Sequence, residues 1–285
     1  MKLAVSNIAW DAPEDAKVLA ALKQRGVAGI EIAPTRAWPD WQGATAMAAR
    51  ALRFRLAAQG FAIPALQAIL FGKPALVLFG NAEATTALVD HIRHVADLAA
   101  ELGAHAMVLG APKARRRGAL DQDIAFKRAA EVFARIAAHC AERRVALCIE
   151  PNPPAYDCDF VVNSAEGLAL VKQVNSPGFR LHLDSAGMKL AGEDSGVAIS
   201  AASAVLCHFH ISEPNLAPIV PASIDHGANA DHLSKVSYRG WVSIEMRRTG
   251  RPVETVAAAV EHVQQCYGDK LEKQIAVTGY GGIVQ

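Results

Sequence analysis

The chain has little of what marks a disulfide scaffold, a membrane protein or a nucleic-acid binder. Its five cysteines, at 140, 148, 158, 207 and 266, are odd in number and form no CxxC pair. Reduced, buried thiols are therefore expected rather than a disulfide frame or a zinc knot. No apolar run reaches membrane-spanning length and no signal peptide is read at MKLAVSNIAW, so a soluble cytoplasmic protein is expected. Neither sign of charge dominates: 29 Lys plus Arg against 28 Asp plus Glu leave +1. That balance gives no footprint for nucleic acid or an anionic membrane surface. Low-complexity blocks are missing, and no GxGxxG follows the first apolar run, which weighs against an open dinucleotide-binding sheet.

What the chain does have is apolar residues in a regular rhythm. Of 285 residues 52% are hydrophobic, ample for one large core. Strand-like runs alternate with Ala- and Leu-rich helical stretches: KLAVSNIAW, GVAGIEIAP, FAIPALQAILFG, HAMVLGAP, VALCIE, FRLHLD, VLCHFH and WVSIE. Gly26 and Gly103 stop two of the intervening helices, Glu166 falls in the first turn of another, and Asp225 caps a later one. Eight such units at this length predict an α/β fold, a single-domain closed (β/α)8 barrel over residues 1–266. Residues 267–285 read as a C-terminal extension packed on the barrel or on a neighbour.

The last four strand runs each end in a group able to bind metal: Glu150, Asp184, His210 and Glu245. Period-2 alternation puts Arg180, His182 and Asp184 on one face, and His208 with His210 opposite Val205, Cys207 and Phe209. Ser243, Glu245 and Arg247 share the corresponding face of the last run. Parallel strands buried on both faces normally read as unbroken apolar runs. One face carrying acids and imidazoles is therefore expected to line the mouth of the barrel, where four strand ends converge at the C-terminal rim. Three carboxylates and one imidazole make a hard, oxygen-rich site for one divalent ion, with Mn²⁺ or Mg²⁺ favoured and Zn²⁺ or Co²⁺ as alternatives.

The segments IEPNP, HLDSAGM, HFHISEP and SIEMR resemble the sugar phosphate isomerase/epimerase family of xylose isomerase-like TIM barrels, which includes ketose 3-epimerases and hydroxypyruvate isomerase. The resemblance spans essentially the whole chain. It implies a metal-dependent isomerase or epimerase acting on a small sugar-like hydroxy-carbonyl substrate through an enediolate. It also implies that Glu150 and Glu245 form the acid/base pair. An inosose-type dehydratase shares the first proton removal, and a non-catalytic sugar-binding barrel is the contrasting class. Two departures matter. The ketose epimerases carry a substrate-contacting histidine three residues after the strand-six aspartate, where this chain has Gly187. The three-zinc endonuclease branch needs further histidines where this chain has Gln67, Gly110 and Gly187. A homodimer or homotetramer is the assembly anticipated.

Further candidates surround that set. His182 and His208 are expected one layer below the ligands, orienting them. Glu213, Arg247, Gln67, Asn7 and Lys113 are candidate substrate contacts, Arg247 for a carboxylate or phosphate. The basic run Lys113–Arg117 is open to two readings, an anion site or a solvated charge run. Trp10, Trp38, Trp41, Phe71 and Tyr156 fall in rim loops and are expected to wall the pocket.

Overall fold

The computed structural model describes residues 1–272; the remainder of the expected C-terminal extension lies outside the described residues. Eight parallel strands form one sheet: β1 (Lys2–Ser6), β2 (Gly29–Glu31), β3 (Ala65–Leu66), β4 (Ala106–Leu109), β5 (Ala146–Ile149), β6 (Phe179–Asp184), β7 (Leu206–Ser212) and β8 (Trp241–Glu245). Their order is β2-β1-β8-β7-β6-β5-β4-β3. β3 has only two residues, and isolated bridges Gly29↔Ala62 and Ile32↔Leu66 close the barrel against β2. Four backbone hydrogen bonds make that seam: Ile30 N–H to Ala62, Ala62 N–H to Ala28, Ile32 N–H to Ala65 and Gln67 N–H to Ile32. Pro64 shortens the third strand, since proline cannot donate to a ladder.

Ten α-helices are found among the described residues: α1 (Asp15–Gln24), α2 (Pro34–Ala37), α3 (Ala46–Ala58), α4 (Ala82–Leu102), α5 (Gln122–Glu142), α6 (Ser164–Val174), α7 (Ser185–Leu190), α8 (Ser195–Ala202), α9 (His226–Lys235) and α10 (Pro252–Tyr267). Most open on a side-chain cap that satisfies otherwise unpaired first-turn N–H groups. Asn81 accepts from Ala84 N, Asp121 from Asp123 and Ile124 N, Asn163 from Glu166 N, and Asp225 from Ala228 N. α4 ends where Gly103 turns left-handed at φ 78°, a conformation that costs glycine least. No helix among the described residues is long and apolar enough to cross a membrane.

The first turn beyond α10 packs back on the start of the barrel. Glu272 N–H donates to the Met1 carbonyl, and the Met1 amine donates to the carbonyl of Lys270.

The barrel interior is uneven. On one side it is filled by small residues, Ala65, Ala106, Ala146 and Cys148. On the other it holds Glu31 and the imidazoles of His182, His208 and His210, all buried. Simple alternation fails at one place. Leu181 pairs with Leu206 but His182 with His208, so Cys207 is an extra residue in β7. This bulge turns Cys207 inward against the small-residue layer, not outward with Phe209 as the alternation predicts. All five cysteines are free thiols.

Candidate metal centre and cavity

Each acidic and imidazole group sits where its strand ends, and neighbouring backbone holds it there. Asp184 closes β6 and doubles as the cap of α7: its Oδ1 accepts from Gly187 N at 2.6 Å, while Ser212 Oγ donates to Oδ2. His210 lies on β7 and is 1% exposed. Its Nδ1 is 3.2 Å from Glu245 Oε2 and 4.0 Å from Asp184 Oδ2, without hydrogen-bonding alignment to either. Glu150 follows β5, and its carboxylate occupies space that only a glycine at 110 leaves free. A Cβ there would come within 2.3 Å of Glu150 Oε2.

Single ligand atoms of Glu150, His182, Asp184 and His210 all lie within 4.8 Å of one another. Glu245 joins this group through its approach to His210. The strand-end carboxylates are thus brought together, and His182 is closer to them than a residue one layer deeper would be. Neither nitrogen of His182 has a hydrogen-bond partner among the described residues.

The electrostatics match the crowding. Burial, then the charges of Asp184 and Glu245, pushes Glu150 up to about 8. Burial, then Glu245, pushes Asp184 up to about 6. Burial opposes a charge on His210, but Glu31 and Glu245 outweigh it and hold the imidazole well above its ordinary value. Glu31 meets the same opposition from burial and is held ionised by His210 and His208. His182 is driven well below its ordinary value by burial, then by the two neighbouring imidazoles. Like charges forced together without water favour either protons or a cation. The donor set of three carboxylates and an imidazole, with unpartnered nitrogens facing inward, fits a hard divalent ion.

These acids form one end of a cavity of about 770 Å3. Its polar wall includes Gln67, Asn152, Ser212 and Asn215; its apolar wall includes Ile69, Leu70, Phe71, Pro74, Val108 and Leu216. Lys73 and Lys113 also line it. Gln67 is aimed by its own bond, Nε2 donating to Ser6 Oγ at 2.6 Å. Tyr156 lines the mouth while its hydroxyl accepts from Asn215 N at 3.0 Å.

Other sequence candidates are placed elsewhere. Asn7 does not line the cavity; its Oδ1 accepts from Ala33 N, tying β1 to the segment after β2. Glu213 is 2% exposed and accepts from Ser223, Ile224 and His226, pinning the loop before α9. Arg247 is exposed and outside the cavity lining, with its backbone N–H bound to Leu216.

The basic run after β4 is split: Arg115 is buried, Arg116 is exposed beside Asp157, and Lys113 lines the cavity. Arg115 is 2% exposed and donates to the carbonyls of Gly110, Glu150, Phe160 and Val161 and to Asn152 Oδ1. Arg116 and Arg117 are spent on Asp157, Asp159 and Leu120, which leaves Lys113 facing the cavity. Trp10 and Trp38 are likewise core residues, 1% and 8% exposed, because burying a large indole outweighs walling a wet rim. Trp10 keeps its N–H satisfied on Asp15.

Two contributors had only weak signals in sequence. Glu31 is a single acid in an otherwise apolar strand, inward by the same alternation as Gly29. Ser212 falls two positions beyond His210 on the same face of β7.

A family model described as a xylose isomerase-like TIM barrel matches residues 19–266. An L-ribulose 3-epimerase of Mesorhizobium japonicum is 30% identical over 90 residues, 32% of this chain and 30% of that protein. An L-ribulose 3-epimerase of Methylomonas sp. (strain DH-1) is 26% identical over 111 residues, 39% of this chain and 38% of that protein. The chain thus aligns with only about a third of the length of these curated relatives. Among solved structures, the D-psicose 3-epimerase from Clostridium cellulolyticum H10 superposes with a TM-score of 0.75 at 16% identity, covering 94% of this chain and 99% of that one. The 3-keto-D-glucoside 4-epimerase from E. coli gives 0.75 at 15%, covering 93% and 100%. At such identities the superpositions speak for the fold, whereas the family model spans most of the sequence: the chain belongs to the xylose isomerase-like TIM barrel family.

Proposed function

We propose that this chain is a divalent-metal-dependent isomerase or epimerase of a small, sugar-like hydroxy-carbonyl compound, with Glu150 and Glu245 as its acid/base pair. The observation that carries the reading is the gathering of Glu150, Asp184 and Glu245 at one end of the large cavity, with His210 buried beside them. The 3-epimerase names of the curated relatives support a carbohydrate substrate. Glu150, Asp184, His210 and Glu245 would hold the ion, Mn²⁺ or Mg²⁺ being favoured. When bound, it supplies Lewis acidity that stabilises negative charge on adjacent substrate oxygens as a carbon-bound proton leaves.

The chain's own groups supply the proton chemistry. Burial, with crowding by Asp184 and Glu245, lets Glu150 hold a proton up to about 8 in the ion-free chain. With a cation bound beside it that affinity falls, leaving the carboxylate able to accept a proton from substrate. Glu245 ends β8, and β7 and β6 separate it from Glu150 on β5. The two carboxyl groups therefore reach the cavity from different sides, as removal and return of a proton on opposite substrate faces requires. Asp184, fixed by Ser212 and Gly187, serves as a positioned anion. The apolar wall excludes water from the reacting end. Beyond the acids and Ser212, the polar side chains that line the cavity and can meet the substrate are Gln67, Lys73, Lys113, Asn152, Tyr156 and Asn215.

The test is hydrogen exchange into heavy water across a panel of ketoses, hydroxy-keto acids and inososes, at saturating metal. Glu150→Gln and Glu245→Gln should each lower turnover by ~10²–10⁴, with at least one still exchanging substrate hydrogen from its intact side. Full turnover in either variant removes that residue from the mechanism. Turnover by wild type with no exchange or transfer of the carbon-bound hydrogen would defeat the proton-transfer reading itself.

A further inference from the structure

We infer that Glu31 is a positioning residue for the ion site, holding His210 so that its Nδ1 faces the acidic cluster, with His208 bracing the arrangement. The inference rests on the metal reading above and adds a component to it. Glu31 ends β2, three strands around the barrel from β7, and is 0% exposed. Its Oε1 is 3.1 Å from Nε2 of both His208 and His210, and its Oε2 is 3.1 Å from the same His210 atom. Each Nε2–H therefore donates to the one carboxylate. With that proton committed, His210 can offer a lone pair only at Nδ1. That atom faces Glu245 and Asp184 and lacks a hydrogen-bond partner.

Carboxylates behind ligating imidazoles fix the tautomer and ring orientation and raise the basicity of the donor nitrogen. Here the restraint is doubled. The two imidazoles come from one strand, their rings 5.4 Å apart and nearly perpendicular at 82°. Glu31 cannot swing toward one without losing the other. Its backbone is pinned as well, by the β1 ladder on one side and the barrel seam on the other. Ligand atoms of Glu31, His208 and His210 are close enough to hold an ion themselves. Their closest approaches are already N–H···O hydrogen bonds, however, which suits a support rather than a second ion site.

The experiment titrates metal-stripped protein with Mn²⁺ by calorimetry and records Co²⁺ absorption spectra, for wild type, Glu31→Gln and His208→Gln. Glutamine keeps the shape of Glu31, but its amide NH2 opposes an Nε2–H. One ion per chain is expected throughout, with affinity about 10–100-fold weaker in Glu31→Gln, a changed Co²⁺ spectrum, and a smaller loss in His208→Gln. Affinity within twofold of wild type, with a native circular dichroism spectrum, would overturn the role. Two ions in wild type with one lost in Glu31→Gln would overturn it too, making Glu31 a ligand. Should Glu31→Gln not fold, the ¹⁵N shifts of His210 in metal-loaded wild type decide: protonation at Nε2 is expected, and protonation at Nδ1 refutes the role. No uptake by wild type would remove the ion-site reading and this role together, before any variant is made.

Discussion

Arg115→Lys is the sharpest perturbation the structure offers, because sequence and structure give Arg115 opposite jobs. As part of a basic rim loop it would attract an anionic substrate; as observed, it is a buried bracket. Its five contacts reach Gly110, Glu150, Phe160 and Val161 carbonyls and Asn152 Oδ1 at 2.6–3.3 Å. Lysine keeps the charge but has three donors on one atom, so at least two of those acceptors lose their partner. Each buried acceptor left unpaired costs about 1–3 kcal/mol, giving a destabilisation of about 2–6 kcal/mol. At about 2 °C per kcal/mol for a chain of this size, the melting temperature should fall by about 4–12 °C. Thermal and urea unfolding with saturating metal would measure it. Because Arg115 holds the Glu150 carbonyl, metal affinity should fall as well. An unchanged unfolding midpoint, with a raised KM confined to acidic substrates, would refute the bracket and restore the anion-binding role.

The remaining predictions concern the ion site. Asp184→Asn, which keeps the cap on α7, and His210→Ala should leave folded barrels with much weaker Mn²⁺ uptake; unchanged stoichiometry and affinity in both would place the site elsewhere. The ion-free chain should lose stability as pH rises from about 7 to 8.5. Glu150, Asp184 and His210 all bind protons more tightly in this fold than in ordinary surroundings. Burial lowers the proton affinity of the imidazoles of His91, His105, His182, His208 and His226, but above about pH 7 these are largely neutral folded or unfolded. The folded chain therefore holds more protons than the unfolded one there, and stability falls with pH. Urea midpoints at about pH 7, 7.75 and 8.5, with chelator and with saturating Mn²⁺, would show a falling series in the first case and a flatter one in the second. A rising series in chelator would contradict the crowded-acid picture.

The barrel was legible because eight apolar runs, punctuated by caps and glycines, repeat one local rule. The strand-end acids were legible for a related reason: a charged group in a buried run needs a partner, and alternation says which way it points. What escaped depended on distant contacts. Nothing near Arg115 in sequence announces the carbonyls of Phe160 and Val161 that bury it. Glu31 becomes meaningful only when β2 and β7 face each other across the barrel, 177 positions apart. Cys207 was misplaced because one inserted residue reverses parity, and neither composition nor period reveals an insertion. Glu213 looked available to substrate because its partners, Ser223 and His226, lie beyond a proline-rich loop whose path only the fold determines.

The cavity walls divide the molecule by provenance. The groups proposed to hold the ion come from the ends of β5 to β8, with the proposed support from β2. The apolar wall and both lysines come chiefly from the segments after β3 and β4, residues 67–74 and 108–114. Those two segments could be exchanged for others of different length or polarity without moving an ion ligand, provided that Gly110 and Arg115 stay. The architecture thus separates reactivity from taste: one half of the rim can drift toward new molecules while the other keeps the same chemistry. Recombining these two loops between members of the family is the natural route to altering what this barrel accepts.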